Sequence, residues 1–271
     1  MLPGMIAKLR QWLHEPEVRG VDVDDHSLPG IQSVILSDKP LLRSAFETFY
    51  CDMARLCDRF FAVDGMEVEL GTGTGFFKQL RPALITSDIR KIQNIDMKLD
   101  AQAMNLVDDS VRCVYAINVF HHLPDPELFF SELTRVLRPG GGCILIEPHG
   151  GFVSALVHRH LHSDEHFDPD VPGWRTDRIG GPLSGANQAL AHIIFERDLT
   201  RFNAIYGAKL EIVYRGYESN GLRYLLSGGL TFRQLMPSFM TSPLKLIEKL
   251  LSPLARYLSL HQVIVLRRRA D

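Results

Sequence analysis

The stretch VELGTGTG, Val68 to Gly75, decides the fold of this 271-residue chain. It continues the apolar-rich run Met66–Leu70 and leads into a short helical pattern, Phe76–Arg81. Glycine at every second position predicts a strand that ends in a tight turn, because glycine has no side chain to block a close approach of the backbone. Ligands of open α/β sheets lie beyond the carboxyl ends of the strands. The turn is therefore a candidate cofactor site.

The spacing of the glycines separates two classes of cofactor. The dinucleotide fingerprint is G-x-G-x-x-G; read from Gly71 and Gly73, its third glycine is replaced by Phe76. This substitution counts against a nicotinamide-dependent oxidoreductase, which remains an alternative. The motif E-x-G-x-G-x-G from Glu69 to Gly75 resembles the first motif of class I S-adenosylmethionine-dependent methyltransferases.

The segments that follow extend this resemblance over about Met66 to His149, and the final strand, Gln262–Arg267, matches as well. The predicted strands are Ala83–Thr86, a third that ends at Leu99-Asp100-Ala101, Val111–Val119, Cys143–Ile146 and, later in the chain, Ala208–Tyr217. A predicted helix, Pro126–Leu137, ends at a break, Arg138–Gly142. The resemblance implies an α/β, Rossmann-like fold. Its seven-stranded sheet is mostly parallel with the last strand antiparallel, and it carries flanking helices and helical insertions.

The length fits one elaborated domain with additional helical segments. A short amphipathic helix, about Pro3–His14, and a long one, about Lys39–Phe61, precede the core. The predicted divisions are an N-terminal helical cap (1–62), a cofactor-binding core (63–150), an insertion that contributes to the substrate region (151–207), and the rest of the core (208–271) with a helical lid (222–260).

Composition narrows the function classes. Apolar residues make up 45% and charged residues 23% of the chain, as in ordinary globular proteins, and the net charge of −2 gives no overall basic field to recruit nucleic acid. Four cysteines without a C-x-x-C pair fit a reducing compartment. No secretory signal and no apolar run of about 18 residues is present. We therefore expect a cytoplasmic protein.

The resemblance assigns a cofactor, S-adenosylmethionine, and a set of residues to bind it. These are Glu69, Leu70, Gly71, Thr72, Gly73, Gly75, Asp88, Ile89, Asp100, Ala101 and Asn118. Asp88 is placed to accept hydrogen bonds from the ribose hydroxyls, although it could instead cap a following helix. The resemblance places Asp100 near the adenine amino group, with Asp96 and Asp108 as nearby alternatives.

His121 is the candidate catalytic residue. Methyl transfer from a sulfonium is an in-line displacement, so the protein mainly aligns the reactants and excludes water. A hydroxyl acceptor can also need a base with a pKa near neutrality, and histidine suits that role. In the alternative interpretation, one of His121 and His122 is buried and hydrogen-bonded while the other caps the next helix.

The acceptor is predicted to be a small molecule, a sugar or a lipid-like compound, methylated on oxygen. The Asn-Pro-Pro-aromatic element that orients amide or adenine nitrogens is missing after the fourth strand, where Asn118-Val119-Phe120 stands instead. A non-catalytic binding subunit with the same fold is a further alternative. The sequence leaves the oligomeric state open.

Two further patterns stand outside this resemblance. His158, His162 and His166 would share one face of a helix, but no H-E-x-x-H motif accompanies them. We expect no metal site, and these histidines could instead bind the acceptor. The apolar stretch Phe232–Leu260 predicts a lid, or alternatively a weak contact with a membrane or a lipid-linked substrate, because Leu246, Leu250, Leu254 and Leu258 recur on one side.

Overall fold

The structure is a computed structural model that describes residues 12–93, 95–151, 153–155, 157, 166–176, 181–184 and 186–270. Most of the predicted helix Pro3–His14 lies outside the described residues. So do His158 and His162, two members of the predicted histidine face.

A seven-stranded sheet forms the centre of the molecule, in the order β3-β2-β1-β4-β5-β7-β6. Neighbours from β3 to β5 pair in parallel, and β7 pairs antiparallel with both β5 and β6. The strands are β1 Met66–Leu70, β2 Ile85–Asp88, β3 Met97–Lys98, β4 Val111–Ile117, β5 Leu137–Pro148, β6 Leu210–Tyr217 and β7 His261–Arg268. The predicted fold class, including the antiparallel last strand, is confirmed.

Helices flank this sheet. They are α1 Leu28–Asp38, α2 Pro40–Phe60, α3 Phe77–Leu80, α4 Pro126–Val136, α5 Leu190–His192, α6 Leu199–Tyr206, α7 Gly221–Leu226, α8 Thr241–Leu251 and α9 Ala255–Leu258, with a π-helical segment, Ile193–Arg197, after α5. Among the described residues, none of these helices has the length and apolar character needed to cross a bilayer.

The sheet carries a hydrophobic core on each face because side chains alternate along its strands. In β4, Val114 and Ala116 belong to the core that includes Phe130 of α4. The intervening Tyr115 belongs to the opposite core, with Phe49 of α2. The predicted long N-terminal helix thus packs directly against the sheet. That residues 1–62 act as a cap and residues 222–260 as a lid stays a prediction.

The beginning of β5 differs from the sequence prediction. A break was expected at Arg138–Gly142, but the chain passes from α4 directly into β5 at Leu137, which pairs with Val111 of β4. A side chain at Gly141 would meet the main-chain oxygen of Arg112 at 2.7 Å. The glycines therefore permit close strand pairing as well as a bend, since Gly140 has φ +83°.

The acidic residue inside β1 has the partners that a buried strand requires. Glu67 accepts hydrogen bonds from Arg81, from Arg112 at 2.7 Å and from the Tyr115 hydroxyl at 2.8 Å. The two guanidinium groups and the phenol compensate the loss of water around the carboxylate, and the pKa of Glu67 lies below its usual value although burial opposes this shift.

Candidate functional site

A cavity of about 690 Å³ opens at the carboxyl ends of β1, β2 and β4. Strand order reverses between β1 and β4, and such switch points are where open α/β sheets bind ligands. The volume falls in the range of about 300–1,000 Å³ that is usual for small-molecule sites. The topology therefore places the predicted turn at the mouth of a ligand-sized cavity.

The turn after β1 brings bare main chain to the cavity wall. Gly71 and Gly73 have φ +60° and +52°, a left-handed backbone that favours glycine. A side chain at Gly71 would meet a methyl group of Val119 at 2.5 Å. The turn is also tied to β2, because the Thr72 main-chain N–H donates to the Ser87 oxygen at 2.8 Å.

Glu69 lies at the carboxyl end of β1 and is almost fully buried. Its carboxyl group accepts a hydrogen bond from the Thr72 hydroxyl. Burial raises the pKa of Glu69 to about 8, and hydrogen bonds from Thr72 and Tyr50 oppose that rise only in part. The group is thus poised to change its charge near neutral pH when its surroundings change.

Asp88 ends β2 and lies in the cavity wall beside Arg90. Its Oδ1 accepts from the Arg90 main-chain N–H at 2.9 Å and from Nε at 3.1 Å, and its Oδ2 accepts from Nη2 at 3.2 Å. Both side chains are buried. The alternative in which Asp88 caps a helix is wrong, because residues 89–93 are not helical.

The three aspartates considered for the third strand separate clearly. Asp100 lines the cavity together with Ala101. Asp96 instead pairs with Lys78 and Thr86, and Asp108 pairs with Arg135. The structure therefore favours Asp100 over the other two as a ligand contact.

Asn118 combines two signs of a functional position. It has φ +53°, a conformation that costs free energy for a residue other than glycine. Its Oδ1 is buried without a hydrogen-bond partner among the described residues, as is the Thr74 hydroxyl. Both residues line the cavity. Unsatisfied buried polar atoms are rare in native proteins, so a bound ligand with a hydrogen-bond donor fits this wall.

His121 lies in the cavity wall with Glu147 directly behind it. The His121 Nδ1 is 2.6 Å from Glu147 Oε2, and both side chains are buried. The other hydrogen bonds to Glu147 come from the main-chain N–H groups of Val119, Phe120 and His121, at 2.9, 2.8 and 3.3 Å. The N-cap of α4 is Asp125, so the suggestion that one of the two histidines caps that helix is wrong.

The remaining wall of the cavity is largely apolar. It is supplied by the N-terminal segment, by the chain between β5 and β6, by α7 with the loop that follows it, and by the residue that precedes β7. Apolar members are Leu13, Val157, Leu183, Leu225, Leu230, Phe232, Leu235 and Leu260. The predicted cofactor residues thus share one cavity with a second, apolar region.

All but one of the twelve predicted site residues line this cavity, and Gly75 lies outside it. Gly75 instead closes the turn, donating its N–H to the Thr72 oxygen at 3.0 Å. Sequence reasoning assigned no role to Arg90, Tyr50 or Glu147. Glu147 could have been found, because it ends β5, and β5 lies beside β4, which leads into His121.

Only one residue of the predicted histidine face lies in the part of the chain that the structure describes. His166, its one described member, does not line the cavity, and its Nε2 lies 3.4 Å from Asp168 Oδ2. Among the described residues, no group of three or more histidine, cysteine or acidic side chains could hold a metal ion.

Comparisons with known proteins agree with this geometry. Residues 50–145 match the family model of a methyltransferase domain. No curated protein sequence matches the chain.

Solved structures show a remote likeness. A chain from the complex of the Haloferax volcanii Trm112 methyltransferase activator with a methyltransferase is 15% identical, with 92% of this chain and 98% of that one covered and a TM-score of 0.49. A sarcosine dimethylglycine methyltransferase from Galdieria sulphuraria is 13% identical (85% and 86% covered, TM-score 0.44). The geranyl diphosphate C-methyltransferase of Streptomyces coelicolor is 12% identical (81% and 79%, TM-score 0.41). Likeness at this level says nothing about the substrate.

Proposed function

We infer from the methyltransferase domain matched at residues 50–145 and from the strand order of the sheet that the chain is a class I S-adenosylmethionine-dependent methyltransferase. We propose that it methylates the hydroxyl oxygen of a small, largely apolar acceptor. The observation that carries this proposal is the buried pair of His121 and Glu147 in the wall of the cavity. A histidine held by a carboxylate is the arrangement expected of a general base, and a hydroxyl is an acceptor that benefits from one.

The residues around the cavity fit the cofactor. The main chain of Gly71 and Gly73 would lie beside its methionine part, Asp88 would accept hydrogen bonds from the ribose, and Asp100 would face the adenine. The bare turn and the unpaired Oδ1 of Asn118 support this assignment. When bound, S-adenosylmethionine supplies a methyl group already activated for displacement by its positive sulfur.

Glu147 determines which nitrogen of His121 can act. The carboxylate receives three main-chain N–H bonds and the contact from Nδ1, which together match the roughly four lone-pair sites of its two oxygens. A carboxylate accepts hydrogen bonds and cannot donate them, so the neutral imidazole carries its proton on Nδ1 and donates it to Glu147. Nε2 is then the basic nitrogen, and it removes the proton from the acceptor hydroxyl as the oxygen attacks.

The apolar wall narrows the acceptor class. Side chains such as Leu225, Leu230 and Phe232 offer dispersion contacts and no hydrogen bonds. Sugar hydroxyl groups that lie against these side chains would lose hydrogen bonds to water, at a cost of about 1–3 kcal/mol for each group that does not reach a polar residue of the wall such as Gln32 or Thr231. An acceptor with one reactive hydroxyl on an apolar body fits better than a sugar.

Paired acceptors test the proposal. The purified protein is incubated with the cofactor and with an apolar phenol or alcohol, or with the amine of the same skeleton, and the products are identified by mass spectrometry. We expect methylation on oxygen, and we expect His121→Gln to lower that turnover about 10²–10⁴-fold while cofactor affinity stays nearly unchanged. Methylation of the amines alone would contradict transfer to oxygen. Cofactor binding without turnover of any acceptor would support the binding-subunit alternative.

A further inference from the structure

The segment from Phe239 to Leu258 carries apolar side chains on the outside of the molecule. Phe239 and Leu250 are 77% and 71% exposed, which is unusual for large side chains so near each other in the chain. We call the following set the C-terminal apolar face: Phe239, Leu246, Ile247, Leu250, Leu254, Tyr257 and Leu258.

The inner side of α8 buries one apolar and one charged residue, Leu244 and Glu248, whereas a surface helix usually buries an apolar stripe. Glu248 and Arg223 are both buried, and Arg223 Nε donates to Glu248 Oε2 at 2.6 Å. Arg223 Nη1 also donates to the Ser44 main-chain oxygen of α2 at 2.6 Å. The helix is thus held to the body by Leu244 and by an ion pair, while Leu246, Ile247 and Leu250 are exposed.

The exposed charges of the segment that carries this face are all positive. Glu248 is the only acidic residue between Ser219 and Ala270, and it is buried in its pair with Arg223. Lys245, Lys249 and Arg256 are exposed. The face therefore presents apolar side chains accompanied by three cations, without an exposed carboxylate from its own segment.

We propose that the C-terminal apolar face docks on the surface of an anionic lipid bilayer. Helices with an apolar side and flanking lysine or arginine lie in the interface of such membranes, where the apolar side chains enter the acyl boundary and the cations meet the headgroups. A second copy of this chain suits the face less well, because a two-fold contact would bring the same three cations against each other.

The neighbours of the face in the chain connect it with the active-site cavity. Leu235 lines the cavity and is also 56% exposed, and it precedes Phe239 by four residues. Leu260 lines the cavity as well and follows Leu258 by two. A docked enzyme would therefore have one wall of its cavity beside the membrane. That a lipid-borne hydroxyl compound enters there rests on the proposed function, whereas docking itself does not.

Vesicle flotation without cofactor or acceptor tests docking directly. The full-length protein is mixed with vesicles of phosphatidylcholine and phosphatidylglycerol, or of phosphatidylcholine alone. We expect it to float with the mixed vesicles, to bind pure phosphatidylcholine at least about tenfold more weakly, and to be released as salt shortens the Debye length from about 10 Å at 0.1 M to about 3 Å at 1 M.

Variants locate the contact. Leu246→Gln with Leu250→Gln should weaken binding to mixed vesicles at least about tenfold, since two apolar anchors are lost while the helix-forming tendency is kept. Val34→Gln with Leu128→Gln changes two exposed apolar positions on α1 and α4, and it should bind as the wild type does. Lys245→Glu with Lys249→Glu should also weaken this binding at least about tenfold, whereas Lys209→Glu, at a position remote in sequence, should not.

The outcomes are distinct. Docking is wrong if the wild-type protein does not float with the mixed vesicles. It is also wrong if the Leu246/Leu250 variant floats to the same extent as the Val34/Leu128 control. If the wild type and the Val34/Leu128 control are dimers in solution while the Leu246/Leu250 variant is a monomer, a second copy of the chain covers the face and the proposal is overturned. Turnover with a water-soluble acceptor is measured in parallel, so a failure of methyl transfer is recognised separately from a failure to dock.

Discussion

Arg90 engages both carboxylate oxygens of Asp88 at the edge of the cavity, and the two side chains are buried together. The pairing fixes the orientation of Asp88 before any ligand arrives. With three bonds received, the carboxylate retains roughly one acceptor site, on Oδ2. The ribose would therefore meet an aspartate that is already oriented and that can accept only about one further hydrogen bond.

We expect Asp88→Ala to weaken binding of S-adenosylhomocysteine by about 1–3 kcal/mol, because the ribose loses its acceptor. Isothermal titration calorimetry measures the change. Asp96→Ala removes a carboxylate of neighbouring sequence that faces Lys78 and Thr86 instead of the cavity, and it should bind the cofactor as the wild type does. Equal affinity of the Asp88 variant and the wild type would remove Asp88 from the cofactor site.

Replacing Gly71 with alanine should damage both stability and cofactor binding. The left-handed backbone at φ +60° costs about 1–2 kcal/mol for a residue with a β-carbon, and that carbon would also press on Val119. Thermal unfolding and calorimetric titration report the two effects.

Gly30→Ala is the matched control. Gly30 lies in α1 with open space around it and has no positive φ, so alanine there should stabilise the protein by about 0.5–1 kcal/mol. If Gly71→Ala has the unfolding temperature and the cofactor affinity of the wild type, close approach of the main chain to a ligand is not the reason for a glycine at this position.

Glu147→Gln tests whether the carboxylate acts through His121. Glutamine keeps the size of the side chain but removes the charge that stabilises a protonated imidazole, so the pKa that governs turnover should fall. Because more of the base is then unprotonated at acidic pH, we expect the acid limb of the kcat profile to move to lower pH. We expect the loss of kcat to be greatest at neutral and alkaline pH, where the weaker base limits the reaction. A uniform loss at every pH, with a lowered unfolding temperature, would assign Glu147 a purely structural role in holding the main chain of Val119 to His121.

The strands and the glycine turn could be predicted because their signals are local. The apolar run of β1 and the glycines from Gly71 to Gly75 carry their geometry within a few residues. The sequence favoured Asp100 over Asp96 by resemblance alone. The contacts that hold Asp96 away from the cavity are not local, since Lys78 and Thr86, which bind Asp96, lie 18 and 10 residues away in sequence.

The parts of the site that were not predicted are side-chain contacts that depend on the three-dimensional fold. Glu147 meets His121 only because β5 lies beside β4, and the two residues are 26 positions apart with a whole helix between them. Arg90 follows Asp88 closely, yet its bond to Asp88 depends on a non-helical backbone at residues 89–93, where the sequence also allowed a helix. The start of β5 at Leu137 likewise follows from pairing with Val111 and not from the glycines alone.

The free protein should lose stability as pH rises from about 5 to 8, because two buried glutamates bind protons more tightly in the folded state. Burial raises the pKa of Glu69 to about 8, and burial followed by the nearby charge of Asp52 raises that of Glu218 to about 8. Their usual value is 4.5, so between 4.5 and 8 the folded state holds protons that the unfolded state has released. Each group then lowers the free energy of unfolding by at most about 1.4 kcal/mol per pH unit.

Urea unfolding of the cofactor-free protein at several pH values measures this slope, and the variants Glu69→Gln and Glu218→Gln should each make it shallower. Buried His149 has a lowered pKa and contributes in the opposite direction near its usual value of 6.5, so the difference between wild type and variant is the informative quantity. Glu218 does not line the cavity. Its replacement should therefore leave cofactor affinity unchanged, whereas replacement of Glu69 should alter it. Slopes that do not differ between the wild type and either variant would show that both carboxyl groups are ionised in the folded protein.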